Sequence, residues 1–182
     1  MRARMLVPIV ALALAALSDA APASAQGTLK SKVEAAIVSK FPQFVEWPAG
    51  ALNGRATIDL CVVPGDGMQR DLEDVVSGDR IDGRTVAVRR VERDADLSGC
   101  QLLFVPASAI PSHRALLKRA AALPVLTVSD DEGFLEGGGI VRLREVDGRV
   151  RFDVDAASAA RAGLRISSQL LQLAASVRGG PA

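Results

Sequence analysis

Three short apolar runs, Thr57 to Val63, Gln101 to Val105 and Pro124 to Val128, set the strongest limit on what this chain folds into. Each reads as a strand; the first is nearly continuous, interrupted only by Asp59, and it and the second have the look of buried strands. Helical patterns lie between them. Gln69 to Val76 is a short one, and Pro111 to Leu123 carries Leu116, Leu117 and Ala120, with Pro111 suited to a first turn. Asp82-Gly83 turns into a further strand over Thr85 to Val91, which alternates imperfectly. Ile140 to Val146 and Arg149 to Val154 alternate on either side of Asp147-Gly148, the strongest hairpin signal present. Two helices close the pattern, Ala156 to Ala162, ended by Gly163, and Ser167 to Val177, with Ser167 or Ser168 able to cap the second. The sum is an α/β fold: one domain, a mixed and mostly parallel sheet, an antiparallel C-terminal hairpin and helices on both faces.

The N-terminus reads differently. Met1 to Arg4 is basic, Met5 to Leu17 is apolar apart from Pro8, and Ala23-Ser24-Ala25 puts small residues where a processing enzyme cuts. This is the pattern of a secretory signal peptide over residues 1–25, and its apolar part is well short of the roughly 20 residues of a membrane span. The mature domain is expected over 26–178, with a loose tail at 179–182. The whole chain has 22 Lys plus Arg and 21 Asp plus Glu; without Arg2, Arg4 and Asp19, 20 of each remain. A neutral mature chain argues against nucleic acid as a partner and against a polybasic membrane-surface protein. In a Gram-negative cell, export means the periplasm, which is the localisation expected.

Past the signal, Leu29, Val33, Ile37 and Phe41 recur at intervals of four, predicting one helical stripe from Thr28 towards Val45. Pro42 interrupts it, so a kink or restart is expected there.

Cys61 and Cys100 are the only cysteines. In an oxidising compartment an even count is expected to pair, and closing their loop contributes about 4 kcal/mol in the chain-entropy model. A zinc shell lacks ligands in a chain with one histidine, and no C-x-x-C exists for redox chemistry. One objection stands at this point. If the two cysteine-bearing strands are parallel neighbours, one cysteine late in its strand and one early in the other are too far apart to bridge.

Candidate catalytic groups are weak. Gly137-Gly138-Gly139 precedes a strand, whereas a dinucleotide loop follows a strand and opens a helix. Asp130, Asp131 and Glu132 lack the spaced ligands of a calcium loop and read as a solvated turn. His113 lies beside Pro111 and Ser112 at a helix start, where a surface position is expected, and no G-x-S-x-G elbow accompanies it. The arginines at 80, 84, 89, 90 and 93 interleave with acids and read as a salt-bridged face. The chain therefore reads as a binding protein rather than an enzyme, with no catalytic residue, metal or cofactor assigned.

One series of motifs goes further. Phe41-Pro42-Gln43-Phe44-Val45-Glu46-Trp47-Pro48 resembles the F-x-x-F-V-x-W-P signature of the YfiR family of periplasmic proteins. The resemblance continues in order through Ile58 to Val63, Gly83 to Arg90, Cys100 to Val105, Pro124 to Asp130 and Gly133-Phe134. It ends on Gly148 to Asp153 and on Ala162-Gly163-Leu164-Arg165-Ile166-Ser167-Ser168-Gln169-Leu170-Leu171. The resemblance implies an α/β fold, often dimeric, and a disulfide between the cysteines matching Cys61 and Cys100. It also implies regulation: binding the sensor domain of an inner-membrane diguanylate cyclase and repressing cyclic di-GMP synthesis, with an OmpA-like outer-membrane lipoprotein as a sequestering partner. The second disulfide of some members has no residues here.

Phe44, Val45, Glu46, Trp47 and Pro48 are the candidate partner-binding residues; all but Glu46 form a short apolar cluster at a helix end in a chain poor in aromatics. Phe41 and Phe44 extend the helical stripe and are expected to staple it to the core, while Trp47 is a residue type that interfaces use as an anchor. The alternative is a periplasmic small-molecule binding protein feeding a membrane sensor, since clefts at the strand ends of α/β sheets commonly hold ligands.

Overall fold

The computed structural model of the chain describes residues 23–180 except residue 66. The expected signal, residues 1–25, lies almost wholly outside the described residues, as does the end of the tail at 181–182. Helix α1 (Ala23–Val38) leads into a 3-10 turn at Phe41–Phe44 and a two-residue strand, β1 (Val45–Glu46). There follow β2 (Thr57–Val62), α2 (Met68–Val76), β3 (Arg80–Ile81), β4 (Arg84–Arg90) and β5 (Leu102–Phe104). Helix α3 (Ile110–Ala120), β6 (Leu126–Ser129), β7 (Val141–Val146) and β8 (Arg149–Asp155) come next. The chain ends with α4 (Ala156–Arg161), β9 (Arg165–Ile166), α5 (Ser168–Leu173) and β10 (Ser176–Arg178).

Eight strands form one sheet in the order β10-β8-β7-β6-β5-β2-β4-β3, and β1 with β9 forms a separate ribbon. Within the large sheet only β3–β4 and β7–β8 are antiparallel. This is the mixed, mostly parallel sheet expected. Its two faces bury different groups. On one, Ile58, Leu60, Phe104, Val128, Leu143 and Phe152 meet Ala35 and Val38 of α1, Met68 and Leu72 of α2, Ala159 and Leu170. On the other, Cys61, Val63, Leu103 and Val105 meet Leu116 and Ala120 of α3. Helices therefore cover both faces.

Three expectations need correction. The stripe Leu29-Val33-Ile37 is not the buried face of α1: Leu29 is 67% and Val33 40% exposed, while Glu34, Ala35, Val38 and Ser39 turn inward. Contact with α2 accompanies this rotation: Ser31 of α1 donates to Asp71 of α2, and just past the two helices Lys40 pairs with Asp79 at 2.9 Å. The last helix stops at Leu173 rather than Val177, and residues 176–178 become β10, parallel to β8. Tertiary bonds outweigh helix propensity there: Ala175 N–H donates to Phe152, Ser176 Oγ to Asp153 and Arg178 Nε to Asp155. His113 is buried, not on the surface, with Nδ1 2.9 Å from the Ala109 carbonyl oxygen.

Other local readings hold. Pro42 ends α1 before Phe41, as its missing donor requires. Asp147 and Gly148 both take positive φ (50° and 69°), the twist that a two-residue hairpin needs. Ser167 caps α5 by accepting from Leu170 N–H. Gly139 answers a packing demand, for a Cβ there would lie 2.3 Å from the Phe134 ring.

The disulfide resolves the geometric objection. Strands β2 and β5 are indeed parallel neighbours, and Cys61 sits opposite Leu103, three residues beyond Cys100. Yet the two cysteines are bonded with Cα atoms 5.8 Å apart. Cys100 stands before the strand, in a turn closed by its N–H on the Leu97 carbonyl, and that turn carries it back over the sheet face onto Cys61. Arg89, opposite Cys61 on β4, lays its Nη2 3.4 and 3.2 Å from the two sulfurs, so it is part of this packing rather than of a solvated face.

At the far side of the sheet, Asp153 is fully buried. It accepts from Arg142 Nε at 3.1 Å, Arg142 Nη2 at 2.5 Å and Ser176 Oγ at 2.8 Å, with Arg144 Nε 2.9 Å away. Burial opposes its charge, but the bonds from Arg142 and Ser176 and the charge of Arg144 outweigh burial and hold the carboxyl below its usual range. A carboxyl depressed in the folded state contributes stability that is complete above about pH 4 and is lost as pH falls through the folded pKa.

Two outcomes follow for equilibrium unfolding of the mature chain. Replacing both cysteines with alanine lowers stability by about 4 kcal/mol, the loop-closure term for this separation. Asp153→Asn lowers it by about 2–4 kcal/mol at neutral pH and makes the acid-side loss shallower, because one of the depressed carboxyls is gone.

Candidate functional site

The residues nominated from sequence occupy one corner of the domain, and the fold divides them by role. Phe41 is buried edge-on against Phe152, with ring centroids 5.1 Å apart. Phe44 is half-buried against the main core, and Val45 is buried. These staple the end of α1 to the sheet. Trp47 also packs on the core and donates its indole N–H to the Pro124 carbonyl at 3.1 Å, which fixes the ring rather than leaving it free. Gln43, Glu46 and Pro48 are exposed.

Beside this segment lies a stretch from the other end of the chain. Val45 pairs with Ile166 and Glu46 with Arg165 in the antiparallel β1–β9 ribbon, and Ser167 N–H extends the ribbon to the Phe44 carbonyl at 2.9 Å. Arg165 Nε is 3.7 Å from Glu46 Oε2, an exposed pair. Across the ribbon, a Cβ on Gly163 would lie 3.8 Å from Pro48. The two motif blocks at 41–48 and 162–171 thus form one surface of Glu46, Pro48 and Arg165 beside the half-buried Trp47. Sequence reasoning did not place Arg165 beside this segment. Two-residue strands carry no periodicity, so nothing local announces that these segments meet.

The corner offers shape and two opposed charges but no nucleophile paired with a base. Elsewhere, Asp130 accepts from Ala107 N–H at 2.7 Å and so ties the loop after β6 to that after β5. Asp131 accompanies Ile110, Pro111, Arg114, Leu117 and Phe134 around a cavity of about 530 Å³ between α3 and the segment before β7. No three His, Cys, Asp or Glu gather into a metal site among the described residues. Nor is any described helix long and apolar enough to cross a membrane.

Trp47 is the only tryptophan, so its fluorescence reports on this corner alone. Trp47→Phe removes the hydrogen bond and one of the two fused rings, and denaturant unfolding followed by circular dichroism is expected to show a cost of at least about 1 kcal/mol. A cost within error would place the indole N–H in water instead.

Comparison with known proteins bears on the chain as a whole. No curated protein matches the chain. Among solved structures, a conserved domain protein from Vibrio cholerae O1 biovar El Tor is similar in fold, with a TM-score of 0.51 and 10% identity. The match covers 81% of this chain but 60% of that one, so this chain spans under two thirds of that protein's length. A family model described as YfiR/HmsC-like matches residues 31–175, which include both ribbon strands and both cysteines. The chain belongs to the YfiR/HmsC-like family.

Proposed function

We propose that the chain is a periplasmic regulator that binds the sensor domain of an inner-membrane diguanylate cyclase and holds cyclic di-GMP synthesis down. The observation that carries this reading is the family match over nearly the whole domain. The β1–β9 ribbon adds a place for docking, because it joins the two most distinctive motif blocks at an exposed surface. A regulator of this kind acts by occupying a partner, and its energy comes from a few well-placed contacts. Glu46, Pro48 and Arg165 supply the exposed ones, with Trp47 as a rigid backing. Sequestration by an OmpA-like lipoprotein and formation of a homodimer belong to the same reading.

Cyclic di-GMP synthesis by envelope vesicles containing the host's membrane cyclase tests it. The mature chain added on the periplasmic side is expected to lower synthesis. Glu46→Arg or Arg165→Glu should raise the concentration needed by about tenfold, equivalent to 1.4 kcal/mol of binding. Their exposed pair contributes almost nothing to stability, so circular dichroism and Tm stay unchanged. Synthesis unaffected by the unmodified chain would sink the proposal.

A second reading rests on the cavity beside α3. Its volume of about 530 Å³ lies within the range of small-molecule sites. A metabolite that raised Tm in a saturable way in the wild type, and not after Leu117→Trp fills the space, would favour ligand binding feeding a sensor.

A further inference from the structure

The face of the sheet opposite Phe152 and Val154 is covered by α3 only in part. It is open along the outer strands, where Arg149 and Arg151 are exposed and the side chains of Arg144 and Arg178 are 39% and 40% exposed. Along those three strands the alternation that turns Leu143, Phe152 and Val154 inward turns Arg142, Arg144, Arg149, Arg151, Asp153 and Asp155 the other way. Arg178 of β10 sits opposite Asp155 on the same side. Five arginines thus share a face with two aspartates, both of them buried. Glu136, an exposed carboxylate, pairs with Arg178 at 2.9 Å.

Two features make this more than a solvated surface. First, Arg144 stands directly opposite Arg151, a like-charged cross-strand pair that costs stability in the free protein. Arg149 and Arg151 are exposed and make no ion pair among the described residues. Second, the arginines nearer the core are held in place: Asp153 grips Arg142 and Arg144, Arg142 Nη1 donates to the Glu132 carbonyl at 2.9 Å, and Asp155 grips Arg178. Guanidinium groups fixed in this way keep donors free and lose little side-chain freedom when a carboxylate arrives.

We infer that this open face of β7, β8 and β10 docks an extended acidic polypeptide segment with carboxylates at alternate positions. The spacing carries the inference. Arg142 and Arg144 on one strand, and Arg149 and Arg151 on the next, are each two residues apart, about 6.6 Å along a strand. That is the repeat at which an extended chain presents every second side chain. Insertion into a lipid surface is disfavoured, because Leu29, Val33, Leu173 and Val177, the exposed large apolar side chains among the described residues, include none on this face. The inference is independent of the regulatory reading, since Val45 and Trp47 pack on the opposite side of the sheet.

The test uses the mature chain and two labelled decapeptides of five Glu and five Thr, one strictly alternating, the other with the Glu in a single run. Fluorescence anisotropy at low ionic strength is expected to show the alternating peptide binding about tenfold tighter, with affinity falling as salt is added. Arg149→Glu with Arg151→Glu removes that preference, whereas Arg114→Glu with Lys118→Glu on α3 leaves it. Arg151→Glu alone should hold or raise Tm, because it turns the pair with Arg144 from repulsive to attractive. Equal binding of the two peptides overturns the inference, as does equal damage from the α3 variant. So does a fall in Tm in Arg151→Glu, which would make the residue structural. Capture of the chain by phosphatidylglycerol vesicles in preference to either peptide would assign the face to lipid instead.

Discussion

The buried carboxylate of Asp153 organises the half of the molecule that carries the candidate surfaces. It is gripped from β7 by Arg142 and Arg144 and from β10 by Ser176, so one side chain ties three strands together. A charge at this depth is tolerated only because every bond around it stabilises the ionised form. Its neighbour Phe152, turned to the other face, meets Phe41. Phe41 fixes the 3-10 turn that delivers Val45 to Ile166 and sets Trp47 against Pro124. The corner and the arginine face, on opposite sides of the sheet, are thus positioned by consecutive residues of one strand.

The other half of the sheet is secured differently. The disulfide and Arg89 bind β2, β4 and the turn before β5 into a buried unit under α3. The cross-link closes the crossover between β4 and β5, where the chain passes from one side of β2 to the other. The β2–β5 neighbourhood is therefore fixed covalently, while the β8–β10 edge is fixed by charge. Acid weakens the second before the first, because Asp153 and Asp155 titrate and the disulfide does not.

Much of this was legible in the sequence, and the exceptions have a common cause. The short apolar runs announced the central parallel strands because burial on both faces leaves a continuous pattern, and Asp147-Gly148 announced the hairpin because its turn demands positive φ. What failed depended on partners distant in sequence. Helix α1 offers an apolar stripe and a mixed face of Glu34, Ala35, Val38 and Ser39, and the mixed face is the one buried, with Ser31 bonded to α2, leaving Leu29 and Val33 outside. Val177 fitted a helical stripe until Asp153 and Asp155 claimed Ser176 and Arg178 for a strand. The site was legible in part. The residues at 44–48 were named from their motif, but their partner Arg165 came from a two-residue pairing that no local pattern encodes.

The central claim is that this domain acts through the β1–β9 corner on a membrane partner. Hydrogen exchange on the mature chain, with and without the cyclase's periplasmic sensor domain, tests it most directly. The amides of residues 45–47 and 165–167 are expected to slow several-fold in the complex, with those under α3 unchanged. A complex that slows exchange elsewhere and leaves this corner at its free rate would contradict it.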